Sequence, residues 1–93
     1  MTDDSTAEKV RELHEHLAAT QELPVETSAS RWIGEAEAVA DDLVDADVTE
    51  ETVRTRIGHV RDLLVNVDGT ESDEADEHVA AALSLAREVA GEE

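Results

Sequence analysis

The sequence predicts an all-α fold, a four-helix up-down antiparallel bundle. Three observations carry this. Apolar residues recur with a 3.6-residue period in four separate segments. Each segment is bounded by a proline, a glycine or a short polar side chain suited to a helix end. The connections between segments are short, which favours antiparallel neighbours. No segment alternates with period two, and Phe and Tyr are absent, so no strand pattern competes.

The first helix is expected over about residues 4–22, with Ala7, Val10, Leu13, His14 and Leu17 on one face and Pro24 stopping it. The second spans about 28–46, with Ser28 as its candidate cap. Its stripe is Trp32, Ala36, Val39 and Leu43, widened by Ile33, Ala40 and Val44. The third spans about 50–67, with Thr49 as N-cap and Val48 and Val53 forming a hydrophobic staple around it. Val53, Ile57, Val60, Leu64 and Val67 form its apolar face, and Asp68-Gly69 ends it. The fourth starts near Ser72 or Asp73 and spans about 73–90, with Ala75, Val79, Ala82, Leu83, Ala86 and Ala90 on one side. Leu85 and Val89 extend that side, so this helix is expected to touch two partners. The 93 residues make one domain. Its alanines allow close helix approach but bury little area each, so a homodimer is expected to add core.

The charge balance is extreme. Twenty-five residues are Asp or Glu against seven Lys or Arg, a formal net charge of −18. Lys9 is the only lysine, and the apolar residues are mostly Ala and Val. Like charge at this density opposes the compact state, and salt screening relieves it. In this the chain resembles cytoplasmic proteins of extreme halophiles, and the resemblance implies a cytoplasmic protein adapted to molar salt. An acidic surface disfavours nonspecific binding to nucleic acid or anionic membranes, so neither is an expected partner. No cysteine is present, which excludes disulfides, thiolate metal sites and cysteine nucleophiles. The N-terminal segment is acidic without an apolar run, so no secretory signal is expected. The longest apolar run is far too short to span a membrane.

Motifs for chemistry fare poorly. Glu12/Glu15 and Asp42/Asp45 are acid pairs at helical spacing on successive helices. They resemble the carboxylate pairs of all-helical nucleotide pyrophosphohydrolases, which implies a divalent-metal nucleotide hydrolase. The second pair departs from the expected Glu-x-x-Asp, and a chain this acidic produces such pairs by chance. No histidine has an acid three residues before it, the spacing of helical di-metal sites. His16 and His59 fall on polar faces, and Glu12/His16 and Glu74/His78 read as surface pairs. His14 lies on the apolar face and is expected to be a hydrogen-bonded core or interface histidine. The loop around Gly69 lacks acids at both end positions of a calcium loop. The glycines are isolated, so no phosphate loop exists. No cofactor, metal site or catalytic residue is expected.

The third helix departs from acidity between Val53 and Arg61, where Arg54, Arg56 and Arg61 occur with His59. The run Thr49–Ile57 resembles the recognition-helix segment of helix-turn-helix DNA-binding proteins, which implies base and phosphate contacts by those arginines. It departs in its connection from Leu43, which is longer than the usual turn. The arginines are otherwise expected to bridge acidic neighbouring helices. The expected function is therefore protein–protein interaction or regulation without catalysis, through Trp32, Leu85, Val89 and His14. A DNA-associated regulator and the metal-dependent hydrolase are the alternatives.

Overall fold

The computed structural model describes residues 4–44, 47–67 and 69–91. Four helices occupy them: α1 (Asp4–Thr20), α2 (Thr27–Val44), α3 (Glu50–Leu64) and α4 (Asp73–Ala90). They close a ring in which α1 packs on α2, α2 on α3, α3 on α4 and α4 back on α1. The Cα radius of gyration is 12.3 Å, against about 12 Å for a compact chain of this length.

Each helix end has a local cause. The buried Thr20 hydroxyl donates to the Leu17 carbonyl at 2.6 Å. The N–H groups of Gln21, Glu22 and Leu23 then reach back three residues, at 3.1, 3.2 and 3.1 Å. This tighter winding ends α1 at Thr20, short of the expected Glu22, before Pro24 interrupts the donors. α2 begins at Thr27, and its cap is Glu26, not the expected Ser28. The Glu26 carbonyl accepts from Ser30 N–H, and its carboxylate accepts from the N–H groups of Ser28 and Ala29. A carboxylate there also meets the positive end of the helix dipole. α2 is described to Val44; its expected last residues, including Asp45, lie outside the described residues.

Thr49 caps α3 as expected, accepting from Thr52 N–H at 3.1 Å. Val48 is partly buried against the core cluster, to which Val53 belongs. α3 ends at Leu64, earlier than the expected residue 67. Asn66 Nδ2 donates to the Asp62 carbonyl at 2.8 Å, so a side chain closes the helix before Gly69 is reached. Gly69 instead supplies a positive φ of 115° inside the following loop. Asp68 lies outside the described residues. Ser72 caps α4, accepting from Ala75 N–H at 3.3 Å. Gly91 ends it in the left-handed conformation, φ 86°.

The core alternates in size around the ring. The buried positions of α2 and α4 include Ala29, Ala36, Ala40, Ala75, Ala82 and Ala86. Those of α1 and α3 are larger: Val10, Leu13 and Leu17, then Val53, Ile57, Val60, Leu63 and Leu64. Ile33, Leu43, Val79 and Val89 are the larger buried residues of α2 and α4, which each pack between α1 and α3. The α2 stripe is centred on Ile33, Ala36 and Ala40, with Trp32, Val39 and Val44 partly buried at its flanks. An indole is too large for a seam where helix backbones approach closely.

Thr70 joins two loops. Its carbonyl accepts from Glu26 N–H at 2.9 Å, linking the α3–α4 loop to the α1–α2 loop. Its N–H donates to Asp76 Oδ1 at 2.9 Å. Its fully buried hydroxyl lies 2.8 Å from both the Ser72 carbonyl and Asp76 Oδ1. Ser72 N–H donates to that hydroxyl at 3.2 Å. These bonds hold Glu71 at φ 65°, unusual for a residue with a side chain. Thr70→Val keeps the shape and strands the Ser72 donor. It is expected to cost about 1–3 kcal/mol, read as a lower thermal midpoint. An unchanged midpoint would show that solvent replaces these bonds.

Candidate functional site

Trp32 sits in the second turn of α2, partly buried, on the flank of the core stripe. It lines a shallow depression with Thr27, Ser28 and Arg31. Leu85 is likewise partly buried on a flank of α4. Val89 is different: at 8% exposure it belongs to the chain's own core and offers no contact surface. It follows Ala82 and Ala86 along the inward side of α4, which the periodicity leaves ambiguous with the Leu85 side.

His14 projects from the flank of α1 toward α2. Its Nε2 lies 3.2 Å from Glu37 Oε2 and 3.3 Å from Asp41 Oδ1. It is a partly buried polar bridge between two helices, beside the apolar core. The acids are one turn apart on α2 and converge on one ring nitrogen, a shared-donor hydrogen-bond geometry. Among the described residues no three His, Asp or Glu side chains are placed to hold a metal ion.

Arg54 and Arg61, seven residues apart, return to within about 20° of one another around the α3 axis, whereas Arg56 does not share their face. Residues two apart on an α-helix lie about 200° apart around its axis, so Arg54 and Arg56 point to opposite flanks. Arg54 Nη2 lies 4.0 Å from Glu50 Oε1. Arg54 also runs near Gly91 at the end of α4. Arg56 lines a shallow surface depression with Thr49, Glu51, Thr52 and Thr55. Arg61 pairs with Asp62 at 2.8 Å. These arginine ion pairs thus lie within α3, whereas the expected bridges were to neighbouring helices. An ion pair that does join helices is Lys9–Glu88, at 3.4 Å between α1 and α4.

Glu12, Glu15 and Asp42 are exposed. Glu12 and Glu15 lie beside Glu8 and Arg11 in a shallow depression on α1. Asp42 is exposed on α2. About 200° of helix separates it from the fully buried Ala40 two residues earlier, which turns it away from the bundle. Asp45 lies outside the described residues.

One pairing is not legible in the sequence. His16 and His78, both read as surface residues, meet across α1 and α4 with their Nδ1 atoms 2.9 Å apart. Each sits at the edge of its apolar stripe, next to Leu17 and Val79. That position is the only sequence signal for a seam residue, and it does not reveal the register between helices distant in the chain.

Among the described residues no helix is long and apolar enough to cross a membrane. Neither a curated protein nor a solved structure matches the chain. Residues 9–93 match the family described as domain of unknown function DUF8152, and the chain belongs to that family.

Proposed function

We propose that this chain works by association, as a non-catalytic helical interaction module of the cytoplasm adapted to high salt. It forms an up-down antiparallel bundle that pairs with a second copy of itself. The observation that carries the association reading is the position of Trp32. The only aromatic ring apart from histidine occupies the flank of the bundle beside Arg31, where solvent reaches it. Trp and Arg are the residue types most enriched among those that dominate binding energy at interfaces.

Three contacts support the up-down path. On α1, Lys9 pairs with Glu88 and the later His16 pairs with the earlier His78, which suits opposite chain directions. The Glu26–Thr70 bond suits two loops at one end. Arg56 opposite Arg54 and the exposure of Glu12, Glu15 and Asp42 favour neither the DNA-binding nor the hydrolase reading.

Sedimentation equilibrium in about 1 M KCl, where charge repulsion is screened to about 3 Å, tests the association. The protein is expected to be dimeric, and Trp32→Ala to weaken the dimer at least tenfold, the equivalent of about 1.4 kcal/mol. A wild-type protein that stays monomeric at every concentration removes the homodimer. A dimer unaffected by the substitution moves the interface elsewhere.

A further inference from the structure

The association reading leaves the contact between His16 and His78 unused. Their Nδ1 atoms stand 2.9 Å apart, with ring centroids 5.2 Å apart and planes inclined by 45°. The centroid separation equals the contact distance plus a ring radius at either end. Both nitrogens therefore lie close to the line between the ring centres, and their in-plane bonding directions face each other. An ion between them does not fit. Imidazole nitrogens bind zinc at about 2.0–2.1 Å, so two nitrogens opposed on one ion would stand about 4 Å apart. An N–H···N hydrogen bond does fit. It requires one protonated and one bare Nδ1.

We propose that His16 and His78 form a single-proton latch between α1 and α4, closed while one ring is neutral and opened when both are cationic. In the neutral pair one ring carries its proton on Nδ1 and donates, and the other carries its proton on Nε2 and accepts. The first added proton goes to the free Nε2 of the donor ring, so the bond persists with charge assistance. A second proton has only the accepting Nδ1 to occupy. It removes the acceptor and sets two N–H groups and two positive charges against each other.

The surrounding charges come from every packed element. Glu12 and Glu15 flank His16 on α1, and Glu74 and Glu77 flank His78 on α4. The Lys9–Glu88 pair lies further along the same seam. On the far flank of α1, α2 sets Glu37 and Asp41 against His14. On the far flank of α4, α3 brings Arg54 near Gly91. A direct 2.9 Å contact leaves no room for any of them between the two nitrogens, so none replaces the lost acceptor.

Acid otherwise favours this molecule, because protonation reduces a net charge of −18. The latch has the opposite sign, and is read as a difference between proteins. Wild type and the double variant His16→Gln/His78→Gln are melted between about pH 8 and pH 5, the range in which imidazoles change charge, at equal protein concentration in molar KCl. The thermal advantage of wild type over the variant is expected at the alkaline end and shrinks by several degrees toward the acid end. An advantage that stays constant overturns the latch. One that grows with acid also overturns it, showing two independent cations paired with Glu12 and Glu74. Should the variant not fold, nitrogen NMR of wild type at about pH 8 decides: one Nδ1–H ring and one Nε2–H ring are expected, and two Nε2–H rings refute the latch. The measurement concerns a contact within one chain, so it stands or falls independently of the dimer.

Discussion

Truncating Leu17 to alanine is expected to destabilise the protein by about 3–5 kcal/mol, the upper part of the range for buried leucines. Leu17 is fully buried on α1, and α1 packs on α2 and α4. The buried residues of those helices include Ala36, Ala40, Ala82 and Ala86. An alanine has no rotamer to swing into a cavity, so the void persists and the lining atoms lose their contacts outright. Total stability at this size is on the order of 5–15 kcal/mol, so one such cavity removes a large share. The midpoint of thermal unfolding should fall by at least 10 °C or so, since each kcal/mol is worth roughly 4–8 °C in a domain of this size. Val65, 53% exposed, is the internal control. Val65→Ala should stay within about 0.5 kcal/mol of wild type. Equal effects at the two positions would show that the alanine-lined seams are loosely packed.

Lowering the salt is expected to act on the whole fold. At about 0.01 M the Debye length is about 30 Å, and at 1 M about 3 Å. The molecule measures 38 × 24 × 17 Å. In dilute salt, therefore, most of its charges interact across most of the molecule, while in molar salt only immediate neighbours do. With a net charge of −18, the folding midpoint is expected between those limits, with helicity rising as KCl is added. One ion pair sharpens this expectation. Arg54 pairs with Glu50 of its own helix at 4.0 Å, with both side chains about half exposed, so this contact does not tie α3 to an acidic neighbour. Circular dichroism and melting across a KCl series provide the test. Full helicity with a cooperative transition in about 0.01 M KCl would contradict it.

Local signals in this chain were read correctly where the physics is local. Thr49 acts within one turn of its own position, so neighbouring residues suffice to identify it as the cap of α3. Glu26 shows the limit of that logic. A long carboxylate accepts from the N–H groups of Ser28 and Ala29, so the helix starts before the Ser28 that residue type alone marks as its cap. Gly69 shows another: its freedom was used in a loop because Asn66 had already closed α3. At the candidate sites, Trp32 and Leu85 were recognisable as apolar residues on the edges of stripes. Periodicity could not separate Val89, which is core, from Leu85, which is flank, because the fourth helix is apolar over a wide arc.

Four helices, their approximate ends and strong self-repulsion are legible in the residues alone. These follow from periodicity, capping chemistry and charge, which need no knowledge of distant residues. Which helix faces which came from the folded arrangement, a ring of α1 on α2, α2 on α3, α3 on α4 and α4 on α1. It turned His14 toward Glu37 and Asp41, joined Thr70 to Glu26, and brought His16 onto His78 across 62 residues of chain. Such contacts depend on the rotation and register of whole helices, which are settled by packing of the entire core and leave no mark at the residues they bring together.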